Sequence, residues 1–582
     1  MSRNEEVATV LEEYADLIEA AEGGYKPQSY REAAENVRQF PKPVEQLAAE
    51  SPEEPAEINA VGDSIARKIT EYLRTGEIEE METLREEYPI DMPALTSVEG
   101  IGPKTAGKLY RKLGITNLEE LETAAEEGKI HEVSGFGEKS EQNILDHVAF
   151  AKQSQERVLL GEARPLAERI LGHLTALDSV EKAEIAGSIR RWLPTIGDVD
   201  LLAAGSDGTE IVDQFSTRDA VEEVIEAGPT KASVRIDGVR IDLRVVPPEE
   251  FGAALQYFTG SKAHNIHVRN IAISRGLKMN EYGVFDVSDV DEEEDSQRAG
   301  RRIGGATEAE MYDAVGLPTF PPEIREDTGE IEAAREGSLP DLLVESDIRG
   351  DLHTHTDWSD GNYSIQEMVV AAAERGYDYH CIADHAAGPG IVGGVGLTDE
   401  DLREQHAEIE DLRERAPITV FHGVEANIDA EGNIDVGEDV LKELDVVVAS
   451  PHSALDQDAE RGTERIVRAI EHPDVDVIGH PTGRLINRRP GLDLDVDRVV
   501  EAAVEHDTAL EVNAHPHRLD LDGDGVRTAV EAGATIVIDT DAHGPGEFDL
   551  MHYGVHTARR GWAEKTDVLN TLDADGVRAF VR

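Results

Sequence analysis

Two aspartates separated by a single residue, Asp198 and Asp200, lie in an apolar stretch that has the composition of a buried strand. Alternate residues of a strand point to the same face, so both carboxylates would face one point. Asp242 lies in an alternating segment that could pair beside this strand and supply a third carboxylate. Carboxylates can hold two divalent cations that activate an attacking oxygen and neutralise a leaving one. The three aspartates therefore predict a metal-dependent site for nucleotidyl transfer.

The residues just upstream of the aspartate pair have the composition of a phosphate-binding turn. Gly187 and Ser188 would bring backbone amides and a hydroxyl close to a triphosphate. Arg191 could bind the same group through two hydrogen bonds, because a guanidinium matches the geometry of a phosphate. We therefore expect a triphosphate to bind between this turn and the aspartates.

Histidines, aspartates and a glutamate recur at the ends of predicted strands in the C-terminal part of the chain. Strands such as 444–449 and 535–538 alternate with helical stretches such as 397–415 and 496–507, which predicts a parallel α/β barrel. The ends of barrel strands converge on one face, so ligands distant in sequence can share a pocket. Mixed imidazole and carboxylate ligation suits zinc, manganese or iron and the hydrolysis of phosphoesters. The candidate ligands are His353, His355, Asp360, His385, Glu425, His452, His480, Asp541 and His543.

Glycine-containing turns that open onto helices recur in the N-terminal part of the chain. One turn contains Gly100 and Gly102, and the helix after it carries Lys104 and Lys108; an earlier copy contains Gly62. Free amides at the start of such a helix, together with lysines, can bind a DNA phosphate without reading the base sequence. A plain helical hairpin is the alternative for any single copy. The repetition of the glycine-containing turn favours binding to the DNA backbone.

The chain is strongly acidic. It has 121 Asp plus Glu residues against 56 Lys plus Arg, which gives a formal net charge of -65. At low salt such a chain would repel nucleic acid, because phosphate contacts supply most of the affinity for DNA. The acids are spread through periodic apolar segments, which argues against a disordered acidic tail. We therefore predict a protein of an extreme halophile, since the screening length falls to about 3 Å at 1 M salt.

Four motifs in order, G-S-I-R-R, G-D-V-D-L-L, R-I-D-L-R and Y-F-T-G-S, resemble those of the X-family DNA polymerases, the group that includes DNA polymerase beta. The resemblance implies that Asp198, Asp200 and Asp242 bind two Mg²⁺ or Mn²⁺ ions, and that the substrates are dNTPs and gapped or nicked DNA. The residues implied to contact the incoming nucleotide are Gly187, Ser188, Arg191, Tyr257, Phe258, Gly260 and Asn265. Those implied to contact DNA are Gly62, Gly100, Gly102, Lys104, Lys108 and Arg269.

Lys68 aligns with the Schiff-base lysine in the lyase domain of the beta enzyme. A lysine that acts as a nucleophile must first lose its proton, and the sequence does not show an environment that would remove it. A solvated or phosphate-binding lysine is the alternative. The sequence leaves both interpretations open.

The C-terminal motifs H-T-H-T, A-D-H, G-V-E-A-N, S-P-H-S, G-H-P and D-T-D-A-H resemble the PHP domain, named for polymerases and histidinol phosphatases. The resemblance implies that the candidate ligands form one site for three Zn²⁺, Mn²⁺ or Fe²⁺ ions, with Asn513 and Asp384 orienting them. Because every ligand position is filled, it also implies an active hydrolase. A 3′–5′ exonuclease that processes 3′ ends is the main prediction. A phosphatase or pyrophosphatase is the enzymatic alternative, and a DNA-end binding scaffold is the non-enzymatic one.

The predicted fold class is multidomain α/β, and 582 residues correspond to about four domains. A helical N-terminal part rich in hairpins precedes a nucleotidyltransferase-type polymerase core with an α+β palm and thumb, and a PHP domain forms a C-terminal distorted (β/α) barrel. The expected boundaries are 1–88 for the N-terminal helical domain, 89–152 for the fingers, 153–250 for the palm, 251–325 for the thumb, 326–347 for a linker and 348–582 for the PHP domain.

Together these features predict a DNA-directed DNA polymerase that fills short gaps during DNA repair, including base excision repair, coupled to 3′-end processing. Cys381 is the single cysteine, so no intramolecular disulfide can form. We find neither a signal peptide nor a run of about 18 apolar residues. We therefore expect a cytoplasmic monomer without a membrane partner.

Overall fold

The structure is a computed structural model that describes most of the chain. The described residues are 3–21, 27–40, 44–51, 54–58, 60–96, 98, 101–133, 136–137, 141–142, 144–145, 148, 157–289, 296–388 and 396–581. Gly100, one of the predicted DNA contacts, lies outside them. Within the described part of the chain, no helix is long and apolar enough to cross a membrane.

The N-terminal part is helical. Its helices are α1 (Arg3–Ala20), α2 (Pro27–Gln39), α3 (Val44–Glu50), α4 (Asp63–Thr75), α5 (Glu79–Glu87), α6 (Met92–Thr96), α7 (Pro103–Leu113) and α8 (Leu118–Glu126). Their apolar faces share one core, because each helix buries a stripe of apolar residues. The two hairpin helices α4 and α7 begin after Gly62 and Gly102, and they end at Gly76 and Gly114, whose φ angles are 81° and 72°. Glycine adopts this left-handed conformation at little cost, so it ends a helix cleanly.

The palm region follows in the chain. Its elements are β1 (Val158–Leu159), α9 (Leu160–Thr175), β2 (Lys182–Ile185), α10 (Gly187–Arg190), β3 (Thr195–Ile196), β4 (Val199–Ala204), α11 (Gly208–Ser216), β5 (Glu223–Ala227), β6 (Lys231–Ile236) and β7 (Val239–Val246). Five strands form one sheet in the order β2-β4-β7-β6-β5. β4 and β7 are parallel neighbours, and Asp200 lies opposite Asp242 in their register. The predicted pairing of these strands is therefore confirmed, although Asp198 precedes β4 by one residue.

The thumb region packs helices against a small antiparallel sheet. Its elements are α12 (Phe251–Thr259), α13 (Lys262–Ser274), β8 (Leu277–Asn280), β9 (Gly283–Asp286), β10 (Arg301–Gly304) and α14 (Glu308–Ala314). The strand order is β10-β9-β8. Gly260 ends α12, and Ser261 caps the start of α13 by accepting a hydrogen bond from the His264 amide. This sharp junction places the Y-F-T-G-S motif at the edge of a cleft.

The segment predicted as a linker is packed against both of its neighbours. It contains α15 (Glu330–Glu336). Glu330 is fully buried and its carboxylate lies 2.6 Å from His264 Nδ1 of the thumb. Leu343 belongs to the core of the C-terminal barrel. The charged composition of this segment was compatible with either a loose or a tight connection between the polymerase part and the barrel. In the structure the connection is tight.

The C-terminal part forms a parallel barrel. Its strands are β11 (Gly350–Asp351), β12 (Tyr379–Ile382), β13 (Thr419–Asn427), β14 (Val446–Ser450), β15 (Val477–Ile478), β16 (Ala509–Asn513) and β17 (Ile536–Asp539). Its helices are α16 (Ile365–Arg375), α17 (Asp399–Arg413), α18 (Glu438–Leu441), α19 (Ala459–Ile470), α20 (Val496–His506), α21 (Gly523–Ala532), α22 (Met551–Arg560) and α23 (Ala574–Phe580). The strands are parallel and follow chain order. A bridge between Thr354 and Ala542 joins the two ends of the sheet, so the predicted distorted barrel is confirmed.

Palm and barrel are in direct contact. The Trp192 ring stacks on the His556 ring, with centroids 3.6 Å apart. Arg560 on α22 donates a hydrogen bond to the Arg191 carbonyl at 2.9 Å. Glu326 lies between the two arginines, 2.9 Å from Arg191 Nε and 3.2 Å from Arg560 Nη1. Contacts with the barrel therefore stabilise the palm loop that carries Arg191.

Candidate metal centres

The palm carboxylates lie on and next to two paired strands. Arg240 Nε lies 3.1 Å from Oδ1 of Asp242, and Arg240 Nη2 lies 3.0 Å from Oδ2. Ser233 also donates a hydrogen bond to Asp242. The charge of Asp242 is therefore compensated by a neighbour, whereas no described lysine or arginine forms an ion pair with Asp198 or Asp200.

Asp200 shows how crowded these carboxylates are. Burial, together with the negative charges of Asp198 and Asp242, raises the pKa of Asp200 to about 7. Such a shift arises when a carboxylate loses solvent and gains neighbours of like charge. A divalent cation would relieve both effects, because hard cations take oxygen ligands. The residues present therefore fit the predicted Mg²⁺ or Mn²⁺ pair.

Gly187 approaches Asp200 more closely than any other residue type could. Its φ is 66°, in the left-handed region that favours glycine. A Cβ atom at this position would lie 2.1 Å from Oδ2 of Asp200. The turn thus brings backbone next to a carboxylate, as the predicted triphosphate contact requires.

We expect Gly187→Ala to lower kcat/KM for nucleotide incorporation by about 100-fold or more, because displacing a metal ligand by about 1 Å can cost that much. The measurement is steady-state incorporation of one dNTP into gapped DNA. Gly238→Ala is the matched control, since Gly238 has a φ of 72° and nothing within 4 Å of its Cβ position. Equal losses in the two variants would show that the Asp200 contact does not matter.

The predicted nucleotide contacts of the thumb line a cavity of about 1070 Å³ together with Arg191. They are Tyr257, Phe258, Gly260 and Asn265, and Arg269, a predicted DNA contact, lines the same cavity. Asn265 donates a hydrogen bond to the Tyr257 carbonyl at 2.7 Å and accepts one from Gln256 at 2.7 Å, so its side chain has a fixed position. Gly187 and Ser188 are not part of this lining. Gly187 and Ser188 could therefore contact a nucleotide only where it lies next to the palm aspartates.

Arg191 is held in place from two sides. Its Nε donates to Glu326 at 2.9 Å, and its Nη1 donates to the Thr259 carbonyl at 2.5 Å. Both partners must share or release the guanidinium when a triphosphate binds. The sequence could not show this, because Glu326 is distant in the chain.

The hairpin turns expose the ends of their helices. A Cβ atom on Gly62 or Gly102 would meet nothing within 4 Å, so open space surrounds the free amides of α4 and α7. Lys104 is exposed and Lys108 is half-buried on α7. The geometry suits the predicted contact with a DNA backbone, which stays a prediction.

Lys68 is not a solvated lysine. Its Nζ lies 2.6 Å from Oε2 of Glu80, and its side chain is 10% exposed. The ammonium also lies 5.1 Å from the centre of the Tyr14 ring. Lys68 must leave this ion pair before it can act as a nucleophile. The lyase activity stays an untested prediction.

The predicted ligands of the barrel lie at the carboxyl ends of its strands. Histidine or aspartate ligands follow β11, β12, β14, β15 and β17, while Glu425 is on β13 itself. His480 and Asp541 have positive φ angles of 24° and 56°. Non-glycine residues adopt such angles at a cost, which is typical of functional sites.

Seven of the nine predicted ligands form three overlapping groups, each with one donor atom per residue within 4.8 Å of the others. Neighbouring groups share His355, His385 or Glu425. The groups are His355 with Asp360, His385 and His543; His353 with His355 and Glu425; and His385 with Glu425 and His452. The other two ligands lie beside them, His480 at 2.9 Å from Glu425 and Asp541 at 3.0 Å from His355.

Glu425 is the central residue of these groups. Its Oε1 lies 2.9 Å from His480 Nε2 and 3.1 Å from His452 Nε2, and its Oε2 lies 2.5 Å from His385 Nδ1. Burial alone would raise the pKa of Glu425, but the surrounding histidines outweigh it and hold the pKa well below its usual range. Glu425 is therefore a buried carboxylate in its charged form.

Several buried nitrogen atoms of the site have no hydrogen-bond partner among the described residues. They are Nε2 of His353, both ring nitrogens of His355, Nδ1 of His385, Nε2 of His452 and Nδ1 of His480. Buried polar atoms are rarely left without a partner. Metal ions would satisfy these nitrogens, so the donor set fits the predicted centre.

Two residues that the sequence did not single out hold ligands in place. Glu511 Oε1 lies 2.6 Å from His353 Nδ1, and Asn427 Oδ1 lies 2.7 Å from His452 Nδ1. Such partners fix the tautomer and orientation of a ligating imidazole. The strand pattern contained a signal for Glu511, since it lies two residues before Asn513 on the same face of β16.

The two residues that were predicted to orient ligands also make relevant contacts. Asn513 Nδ2 donates to Asp541 Oδ2 at 3.1 Å. Asp384 accepts hydrogen bonds from Thr356, Ser359 and Gln405. It thereby fixes the loop that carries Asp360.

The barrel site opens into a cavity of about 1240 Å³ that is also lined by the start of the palm and by helices α1, α2 and α6. The ligands Asp360, His385, His452, His480, Asp541 and His543 form its floor. α1 and α2 contribute Glu12, Asp16 and Arg31, and the palm contributes Arg157. No sequence pattern predicted that the N-terminal helices face this site.

Four known domain families match parts of the chain. Residues 2–78 match a helix-hairpin-helix domain and residues 92–149 match a SAM-like helix-hairpin-helix tandem. Residues 254–326 match the DNA polymerase beta thumb. Residues 351–515 match the PHP domain.

Similar proteins cover either the whole chain or one of its parts. DNA polymerase/3′-5′ exonuclease PolX of Bacillus subtilis is 36% identical over 582 residues, which is 99% of this chain and 99% of that protein. DNA polymerase lambda of Rattus norvegicus is 25% identical over 56% of this chain and 56% of its own length. A probable phosphatase of Thermoanaerobacter is 31% identical over 40% of this chain and 94% of its own length.

Proposed function

The chain belongs to the PolX-type family X DNA polymerases with a C-terminal PHP domain, and we propose on this basis that it fills short DNA gaps and trims 3′ ends at a second site. The single observation that carries the proposal is the full-length similarity to a protein named for both activities. The polymerase carboxylates and the barrel ligands are separate in sequence and in the fold. Short gaps of the kind left in base excision repair are the proposed substrate.

The palm would join a dNTP to a primer. The primer 3′-oxygen forms a bond to the α-phosphorus, the bond to the bridging oxygen breaks, pyrophosphate leaves, and the hydroxyl proton passes to water. Two divalent cations would neutralise the negative charge that develops on the attacking and leaving oxygens. Asp198, Asp200 and Asp242 would hold them, and Asp242 would also orient the primer hydroxyl. Arg191 would bind the triphosphate after releasing its hydrogen bonds to Glu326 and to the Thr259 carbonyl.

The barrel would hydrolyse the last phosphodiester of a strand. A water oxygen forms a bond to phosphorus, the bond to the 3′-oxygen breaks, and that oxygen takes a proton. The products are a nucleoside 5′-monophosphate and a strand with a free 3′-hydroxyl. Glu511 and Asn427 hold the ligand imidazoles of His353 and His452 in fixed orientations.

Product analysis tests the two reactions separately. Incorporation into a gapped duplex should release one pyrophosphate per nucleotide, and degradation without dNTPs should release nucleoside 5′-monophosphates. Release of nucleoside 3′-monophosphates would contradict the proposed position of bond cleavage.

A phosphatase is the second candidate for the barrel, because the probable phosphatase of Thermoanaerobacter is similar over most of its length. The cavity above the ligands has room for a mononucleotide. Hydrolysis of mononucleotides or pyrophosphate without any shortening of DNA would favour this function. The observation against it is that the full-length relative carries exonuclease in its name.

We also propose that the protein is adapted to high salt. With a formal net charge of -65, like-charge repulsion destabilises the folded chain and repels DNA when screening is weak. Mg²⁺ or Mn²⁺ is proposed for the oxygen-rich palm site, and Zn²⁺, Mn²⁺ or Fe²⁺ for the mixed barrel site. A monomer remains the proposed state.

We expect the unfolding temperature and the polymerase activity both to rise when KCl is raised from about 0.1 M to about 1 M, since the screening length falls from about 10 Å to about 3 Å. Thermal unfolding and gap filling are measured over the same series. Sucrose at equal osmolality is the control, because it leaves charge unscreened. A fall in both quantities with KCl would contradict the adaptation.

A further inference from the structure

One arginine stands next to the barrel ligands. Arg518 Nε lies 3.6 Å from Oδ2 of Asp541, and its side chain is 20% exposed. Arg518 also lines the large cavity. Among the residues that the structure describes, it is the only lysine or arginine that forms an ion pair with a predicted carboxylate ligand of the barrel. Its guanidinium makes no hydrogen bond to another described residue.

The loop that carries Arg518 is fixed by a second arginine. Arg484 Nε donates to the Arg518 carbonyl at 2.7 Å, and Arg484 Nη2 donates to the Leu519 carbonyl. Asp520 accepts hydrogen bonds from the amide and hydroxyl of Thr482 at 3.1 and 2.9 Å. The loop is therefore locked by its backbone, while the Arg518 guanidinium faces the cavity.

Arg488 provides a second positive charge on the same wall. It is exposed and lines the cavity, and its guanidinium forms no ion pair within the described ranges. The neighbouring Asn487 donates to the Arg157 carbonyl at 2.8 Å, which anchors this loop to the palm. Burial lowers the pKa of the adjacent Arg489, and the charge of Arg518 lowers it further. Positive charge is thus concentrated on this side.

The residues that α1 and α2 contribute to the cavity are mostly acidic. They include Glu12, Glu13, Asp16 and Glu32. Arg31, which these helices also contribute, already has a partner, since it lies 2.6 Å from Asp16. An anionic strand in the cavity would therefore be repelled by the N-terminal helices and attracted to the wall with Arg488 and Arg518.

We propose that Arg518 and Arg488 form a phosphate-binding subsite for a DNA strand. Arg518 binds the phosphodiester that is hydrolysed, and Arg488 binds the next phosphodiester towards the 5′ end. A guanidinium suits both roles because it binds phosphate oxygens through two hydrogen bonds. Contacts at hydrogen-bond distance also persist when salt screens longer-range attraction. The assignment of a DNA strand rests on the proposed exonuclease function.

Two substrates separate the roles of the two arginines. One is a 5′-labelled single-stranded oligonucleotide, and the other is thymidine 5′-(p-nitrophenyl phosphate), which has a single phosphodiester. Arg518→Ala should lower kcat/KM for both by about 100-fold, the loss typical of a group that stabilises charge in the transition state. Arg488→Ala should raise KM for the oligonucleotide about 10-fold and leave the ester unchanged.

The controls separate a contact with phosphate from a loss of structure. Arg518→Lys should recover part of the lost kcat/KM, because it restores the charge without the two-point contact. Arg498→Ala removes an exposed arginine that pairs with Glu460 outside the cavity, and it should match the wild type. Equal effects of Arg488→Ala on both substrates, or no effect of Arg518→Ala, would overturn the subsite.

A binding measurement makes the test independent of catalysis. Thymidine 5′-monophosphate is titrated calorimetrically into the Mn²⁺-loaded full chain. Arg518→Ala should weaken its binding about 10-fold or more, whereas Arg498→Ala should not. If the wild type degrades no DNA but the binding still depends on Arg518, the subsite stands and the exonuclease function fails. Unchanged binding in Arg518→Ala would refute the subsite itself.

Discussion

Replacing Asp200 with asparagine is expected to abolish gap filling while 3′ shortening continues. Asp200 lies beside Asp242 on paired strands and is crowded by Asp198. Asparagine keeps the shape of the side chain but removes the charge that would hold a cation. Loss of that cation removes several kcal/mol of transition-state stabilisation, which corresponds to about 10³-fold or more in rate.

The measurement is the rate of single-nucleotide incorporation into a 5′-labelled gapped substrate. Asp237→Asn is the matched control, because Asp237 is exposed on the same sheet and pairs with Arg169 at 2.6 Å. It should keep the wild-type rate. Because Asp200 repels its neighbours, Asp200→Asn should not lower the unfolding temperature without metal. Gap filling within a few-fold of the wild type would exclude Asp200 as a metal ligand.

Replacing Glu425 with glutamine is expected to have the opposite effect, with loss of 3′ shortening and retention of gap filling. Glu425 is fully buried and contacts His385, His452 and His480. It is shared by two of the ligand groups. Glutamine removes the negative charge around which these histidines are arranged, so we expect a loss of about 10³-fold or more.

Metal content is the second readout for this variant. Glu425→Gln should bind less metal per chain after dialysis, as measured by elemental analysis. Glu443→Gln is the control, since Glu443 is exposed on the same domain and pairs with Arg403 at 3.2 Å. Full metal content together with full exonuclease activity in Glu425→Gln would remove Glu425 from the centre.

The sequence predicted those parts of the sites that depend on local periodicity. Asp200 and Asp242 could be placed together because each lies in an apolar segment that alternates as a strand does. The barrel ligands could be placed on one face because parallel strands share their carboxyl ends. Strand limits differed by two residues or fewer, as for 444–449, which is β14 at Val446–Ser450.

Contacts between segments that are distant in the chain could not be predicted from the sequence. Glu326 binds both Arg191 and Arg560, and no local pattern relates these residues. In the sequence, Arg518 cannot be distinguished from an ordinary surface arginine. Only the fold shows that it lies 3.6 Å from Asp541. Lys68 pairs with Glu80 at 2.6 Å, and no local pattern predicts this contact because the two residues lie on different helices.

The cavity shared by the N-terminal helices and the barrel is the largest feature that the sequence did not predict. Its walls come from α1, α2, the start of the palm and the barrel loops. This arrangement requires tertiary packing that composition does not encode. It also means that the domain boundaries expected from the motifs divide the lining of one cavity between four segments.

One chain is proposed to carry two sites that act in opposite directions on a primer 3′ end. The decisive experiment follows the length of a 5′-labelled primer in a one-nucleotide-gapped duplex, in molar KCl with Mn²⁺, with and without dNTPs. We expect lengthening by one nucleotide with dNTPs and progressive shortening without them. A primer that keeps its length under both conditions, over the whole range of salt, would contradict this proposal.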